Sequence, residues 1–192
     1  MEKTGKQLYP LFVISGPAAA GKSKMADRVI ADFPKLNRII TCTTRKKRPG
    51  EKNGVAYHFL TVAQFKSGIK HKEFIEHAEV HGNLYGPRVE DVRKARTKGP
   101  AIIILDPQGA EKISELFPDA HCIFIMAPDD DLRARLTERS TDHADFARRM
   151  KDSEEEMRHA NRWYYGCVIN NANGYLDRSL RQLYAFIREN LD

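Results

Sequence analysis

The stretch Leu11-Phe12-Val13-Ile14-Ser15-Gly16-Pro17-Ala18-Ala19-Ala20-Gly21-Lys22-Ser23 runs from an apolar segment into a glycine-bounded loop and ends on a lysine and a hydroxyl. Its last eight residues fit G-x-x-x-x-G-K-[ST]. The context fits too: an apolar strand leads in, and Lys22–Asp32 reads as a helix that stops before Pro34. Glycines let the backbone curl so that its N–H groups face phosphate oxygens, and the helix start adds its dipole. In such a loop Lys22 reaches the β- and γ-phosphates and the Ser23 hydroxyl ligates Mg²⁺. Ala18-Ala19-Ala20 leaves the loop without a glycine between its ends, so any position there that needs positive φ is strained.

Outward from this loop the chain alternates short apolar runs with amphipathic segments, which reads as α/β with a largely parallel sheet. Strands are expected at Leu11–Ser15, Arg38–Thr41, Ala101–Leu105, His121–Met126 and Cys167–Asn170. All are apolar on both faces, as strands under helices should be. Helices are expected at Lys22–Asp32, Val89–Lys98, Gly109–Leu116 and Asp129–Glu138. A last helix carries the stripe Leu176, Leu180, Leu183, Ile187, Leu191. The stretch from Thr43 to Gly86 differs. Its turn dipeptides, short apolar runs and a Thr61-x-x-Gln64 capping box read as a small mixed-β insert. The polar stretch Thr137–Arg149 reads as a lid.

Composition narrows the class. The chain has 192 residues, one ordinary domain, and 41% of them are apolar, enough for a core without disulfides. Cys42, Cys122 and Cys167 are scattered, which fits a reducing compartment. The net charge of +6 is spread among interleaved acids, with one dense run at Arg45-Lys46-Lys47-Arg48, and favours small phosphorylated ligands over nucleic acid. No apolar run approaches the ~18 residues of a membrane span. Lys3 and Lys6 before Leu8–Ile14 resemble a signal peptide, but the phosphate loop explains those residues better, so a cytoplasmic protein is expected.

Further candidates lie downstream. The apolar run Ala101–Leu105 ends in Asp106, as in a Walker B element that orients Mg²⁺, although a turn aspartate reads the same way. Arg45 and Arg48 present two guanidinium forks that suit one phosphate, or else form a solvated basic turn. In Phe74–His81 strand periodicity sets Glu76 among Phe74, Ala78 and Val80. A buried carboxylate needs a partner. That partner is an arginine, or guanine N1–H and N2–H₂, which adenine cannot offer. Such a site discriminates by about 10⁴-fold or more. His77, Glu79 and His81 share the other face and read as solvated, not as a metal site.

Several ordered landmarks then resemble guanylate kinase over nearly the whole chain. These are Ser15-Gly16-Pro17, Thr43-Thr44-Arg45-x-x-Arg48-x-Gly50-Glu51-x-Asn53-Gly54, Tyr57-x-Phe59, Glu73-Phe74-Ile75-Glu76, Gly82-Asn83-Leu84-Tyr85-Gly86, Gln108-Gly109 and Val168-Ile169-Asn170. The resemblance implies a P-loop three-layer parallel-sheet core (1–40, 88–136, 150–192), a GMP-binding insert (41–87) and a lid (137–149). It implies that Gly16, Pro17, Ala18, Ala19, Ala20, Gly21, Lys22, Ser23 and Asn170 bind ATP. Arg45, Arg48, Tyr57 and Tyr85 would hold the GMP phosphate, and Glu76, helped by Thr41 and Asp106, would read guanine. Lys22, Arg45, Arg139 and Arg149 would be catalytic, and Ser23 would hold the Mg²⁺ that accompanies ATP. The family usually has Ser or Thr where Pro87 stands, Ser where Thr41 stands and Gly near Ala19, and Leu105–Gly109 is one residue shorter.

The expected reaction is phosphoryl transfer from ATP to GMP. Two alternatives remain at this stage: a P-loop kinase for another phosphorylated acceptor, and a catalytically weak binding module of the same family. Arg135 and Arg139 also read as the solvated face of a helix whose apolar side is Leu132 and Leu136.

Overall fold

The computed structural model describes residues 8–80, 82–140, 142–161 and 165–191. Lys3, Lys6 and His81 lie outside them. In chain order the elements are β1 (Leu11–Ser15), α1 (Lys22–Asp32), β2 (Asn37–Arg38), β3 (Cys42–Thr43), β4 (His58–Phe59), α2 (Val62–Lys70), β5 (Ala78–Val80) and β6 (Asn83–Gly86). They continue with α3 (Val89–Arg96), β7 (Ala101–Ile104), α4 (Pro107–Leu116), β8 (Ala120–Met126), α5 (Asp129–Arg139), α6 (His143–Ala160), β9 (Cys167–Asn170) and α7 (Leu176–Glu189). Two compact units result, one of residues 1–9 and 35–103, the other of 10–34 and 104–192. The first is wider than the insert expected at 41–87.

In the second unit β1, β8 and β9 run parallel, with Val13 opposite Cys122 and Phe124 opposite Val168. Leu105, just past β7, donates its N–H to the Ile14 carbonyl at 3.0 Å. Leu11, Phe12, Val13 and Ile14 are completely buried, and each such side chain contributes ~1.5–3 kcal/mol. Helix α1 packs on β1 and α7, and α7 on β9, while α4 packs on β1, β8 and α6. Because β1, β8 and β9 end at one edge, the loops after them converge, as open parallel sheets require of a ligand site.

In the first unit β2 pairs parallel with β7, and a mixed sheet has the order β4-β3-β6-β5. The strand expected at Arg38–Thr41 is split: β2 ends at Arg38 and the chain crosses to the mixed sheet, which it joins at Cys42. The capping box of α2 is present, with Thr61 Oγ1 accepting from Gln64 N and Gln64 Oε1 from Thr61 N. Phe65 and Phe74 stack at 4.2 Å in a small core with Cys42. The run Phe74–His81 is strand only over Ala78–Val80. Phe74 instead bridges Arg88, and Gly86 lets β6 close on the backbone there, since a Cβ would lie 2.5 Å from the Glu76 carbonyl oxygen.

The expected polar lid is two helices. Helix α5 runs to Arg139, and α6 continues past Arg149 to Ala160, so the boundary at 149/150 falls inside a helix. Among the described residues the three cysteines are free, and no helix is long and apolar enough to cross a membrane.

Candidate active site

Gly16 opens the loop at φ 138°. A Cβ on it would sit 1.9 Å from the Ile125 carbonyl oxygen, so the loop passes β8 too closely for any side chain. Gly21 caps α1 in the left-handed region at φ 102°. Ala19 takes φ 62°, and the strain expected of an all-alanine loop falls on that residue.

Side chains from outside the motif brace this loop. Asn171, buried just after β9, donates from Nδ2 to the Ala20 carbonyl at 2.8 Å. Its own N–H donates to the Met126 carbonyl at 2.7 Å. Arg135 donates from Nη1 to the Ala19 carbonyl at 3.2 Å and from Nη2 to the Asn171 carbonyl at 2.8 Å. Arg135 is therefore a brace, not part of a solvated face. Asn170, the expected ATP contact, is exposed on β9 and lines a surface cavity with Ala172, Tyr175 and Arg178. It is the neighbouring Asn171 that holds the loop.

Lys22 turns its Nζ onto the carbonyls of Gly16 at 2.5 Å and Pro17 at 2.9 Å. Burial lowers its pKa; Glu156 and Asp106 oppose that shift, and Arg139 adds to it. Three charges, from the start of α4, from α5 and from α6, thus act on Lys22. Asp106 serves structure as well, because its Oδ1 caps α4 by accepting the Gly109 N–H at 2.8 Å. The turn reading of this aspartate holds, and its charge also reaches Lys22. Ser23 lies exposed in the first turn of α1.

Glu156 is a residue that sequence reasoning missed. Burial pushes its carboxyl up to about 7, against the pull of the Lys22 cation and of the loop backbone at Ala18. Its Oε2 is buried and makes no hydrogen bond among the described residues. Of the expected lid arginines, Arg139 is exposed at the end of α5. Arg149 donates from Nε to Asp145 Oδ2 at 2.8 Å, and Arg148 pairs with the same buried carboxylate.

Within the first unit, Arg45 links Glu51 to Tyr57 and through it to Tyr85, while the Arg48 side chain is exposed. Arg45 Nη2 donates to Glu51 Oε1 at 2.7 Å, and the Arg48 N–H donates to Glu51 Oε2 at 2.8 Å. That bond raises the Arg45 pKa and holds the Glu51 carboxyl below its ordinary range. The Arg45 guanidinium lies 5.5 Å from the Tyr57 ring centroid, and Tyr57 meets Tyr85 edge-on at 5.9 Å. Burial, then Tyr85, raises the Tyr57 pKa. Glu76 is buried, as its periodicity required. Thr41 is half-buried, with its carbonyl accepting the His58 N–H at 2.9 Å. His77 and Glu79 are exposed, and among the described residues no cluster of acids, histidines or cysteines could hold a metal by itself.

A buried parallel strand, a braced glycine-bounded loop and a lysine at the helix start define a P-loop nucleotide-binding protein. The guanylate kinase family model matches residues 9–190, and the chain belongs to that family. The guanylate kinase of Hydrogenovibrio crunogenus is 38% identical over 183 residues, 94% of this chain and 87% of that protein. That of Dechloromonas aromatica is 37% identical over 181 residues, 93% and 88% of the two chains. The crystal structure of guanylate kinase from Anaplasma phagocytophilum superposes with a TM-score of 0.74 at 28% identity, covering 97% of this chain and 89% of that one. The α/β class expected from the sequence agrees with this match.

Proposed function

We propose that this chain transfers the γ-phosphoryl group of ATP to GMP, giving ADP and GDP. The observation that carries this reading is the presence, in one chain, of a braced phosphate loop, an arginine–tyrosine cluster held by Glu51, and a buried carboxylate at Glu76. The first suits a donor triphosphate, the other two an acceptor monophosphate with a base to be read.

The acceptor is a phosphate oxygen already ionised at neutral pH, so no general base is needed. Catalysis is positioning and charge neutralisation. The loop from Gly16 to Ser23 holds the ATP phosphates and Lys22 meets charge on the transferring group. Arg45, Arg48, Tyr57 and Tyr85 hold the GMP phosphate, with Arg45 pre-aimed by Glu51. Arg139 and Arg149 add cations as the transfer proceeds, and Asn170 lies toward the adenine. Glu76 accepts from guanine N1–H and N2–H₂, with Thr41 and Asp106 assisting. Mg²⁺ takes oxygen donors and keeps waters. The exposed Ser23 hydroxyl and the Asp106 carboxylate are donors of that kind, so the loop fits ATP carried with Mg²⁺. When bound, the ion neutralises phosphate charge.

Glu76→Gln tests the acceptor assignment. The amide presents one acceptor and two donors to a base edge that offers only donors. The account expects kcat/KM for GMP to fall on the order of 10²-fold, with ATP binding intact. An unchanged acceptor preference would contradict guanine reading by Glu76.

A further inference from the structure

Within residues 16–23 only Ala19 carries a Cβ at positive φ, 62°. There the Cβ crowds a backbone oxygen, and an unconstrained alanine leaves that region for the right-handed or extended ones. Two hydrogen bonds hold the peptide that follows it. The Ala20 N–H donates to the Pro17 carbonyl at 3.2 Å, which closes the turn around Ala19. The Ala19 carbonyl accepts from Arg135 Nη1 at 3.2 Å. A trans peptide sets its N–H and C=O in opposite directions, so the two bonds fix its plane from both sides.

Arg135 is itself held in place. Its Nε and Nη2 both donate to Asn173 Oδ1, at 3.0 and 2.7 Å, and Nη2 also donates to the Asn171 carbonyl at 2.8 Å. Asn173 is fixed in turn by Asp131, one turn of α5 before Arg135. Asp131 Oδ2 accepts the Asn173 N–H at 2.6 Å, and Oδ1 accepts from Asn173 Nδ2 at 2.9 Å. This arrangement uses the planar fork of a guanidinium, which a lysine ammonium cannot reproduce.

We infer that Arg135 is the positioning residue that keeps Ala19 in its left-handed conformation, supplying by hydrogen bonds what a glycine there would supply by backbone freedom, and that the affinity of the loop for ATP depends on it for that reason. This rests on the phosphate-loop reading of residues 16–23 and goes beyond it, because it names the side chain on which the loop's shape depends and the residue through which it acts. Arg135 acts through Ala19, so its importance shrinks once residue 19 has no Cβ. None of these bonds involves the Arg45–Glu51 cluster, so GMP affinity is independent of them.

The test is a double-mutant cycle of Ala19→Gly and Arg135→Lys, read by calorimetric titration of the whole chain with Mg-ATP and, separately, with GMP. Arg135→Lys keeps the charge and loses the fork. It should raise the Kd for Mg-ATP about tenfold when residue 19 is alanine and about threefold or less when it is glycine. The Kd for GMP should stay within about twofold in all four proteins. Asn173→Ala removes the acceptor of two Arg135 bonds at an exposed position, and it carries the same cycle if Arg135→Lys does not fold. A loss as large or larger in the glycine background would overturn the inference, since Arg135 would then act independently of Ala19. Unchanged affinity for Mg-ATP, or an equal weakening toward GMP, would overturn it too. Absence of Mg-ATP binding by the wild-type chain would instead overturn the phosphate-loop reading, and the inference with it.

Discussion

Asn171 Nδ2 lies 2.8 Å from the Ala20 carbonyl oxygen, a hydrogen bond that joins residues 151 positions apart and ties the strand end after β9 to the phosphate loop. Asn171 is buried, so its loss leaves the Ala20 carbonyl without that partner. Asn171→Ala should destabilise the fold by about 1–3 kcal/mol in urea unfolding. It should also raise KM for ATP while KM for GMP stays near wild type. Equal effects on both substrates would argue against a local role at the loop.

The left-handed backbone of Ala19 is a strained position occupied by a residue with a Cβ. Ala19→Gly should therefore stabilise the chain by about 0.5–1 kcal/mol, the relief of strain outweighing the extra freedom of glycine when unfolded. Thermal unfolding reads this directly, and a lower melting temperature would contradict it.

Glu156 gives a pH signature. Its carboxyl is raised to about 7 in the folded chain, against about 4.3 for an ordinary glutamate. Below that lower value both states are protonated and the group costs nothing. As pH rises toward 7 the unfolded chain loses the proton first, so stability falls, and it levels off above 7. The difference between wild type and Glu156→Gln should thus grow by about 2–3 kcal/mol from pH 4 to pH 8, in favour of the glutamine variant. A flat difference across that range would show that the carboxyl is not buried as described.

Glu51 holds both Arg45 and the Arg48 backbone. Glu51→Gln keeps a polar group but loses the charge that aims the guanidinium. KM for GMP should rise about 3- to 10-fold, and KM for ATP should not move. The steady-state parameters for the two substrates, measured separately, decide the point.

Much of this was legible in the sequence where the physics is local. β1, the loop and α1 follow from the Gly16–Ser23 motif and its apolar lead-in, and their bounds agree with the structure residue for residue. β9 agrees as well. Helix α6 was not legible as a helix, because its buried side is polar. Asp145, Ser153 and Ala160 are buried, with Arg149 and Glu156 half-buried between them. That stripe has helical spacing with Ala160 as its one apolar member, so a search for apolar periodicity passes over it. One local signal was present: Asp142 Oδ1 accepts the Asp145 N–H at 2.8 Å, an N-cap pattern.

The roles of Asn171, Arg135 and Glu156 were hidden for a different reason. Each acts on the loop across a long sequence separation, and only the convergence of the ends of β1, β8 and β9 with α5 and α6 brings them there. Glu76 was legible because burial on a short alternating run is a property of its immediate neighbours.

The central claim is phosphoryl transfer to GMP. Its most direct test is ADP release from Mg-ATP in a coupled assay against GMP, dGMP, AMP, CMP and UMP in parallel. The account predicts turnover with guanine monophosphates and kcat/KM for AMP lower by about 10⁴-fold. Turnover with AMP or a pyrimidine monophosphate at the rate seen with GMP, or none with any of the five, would contradict it.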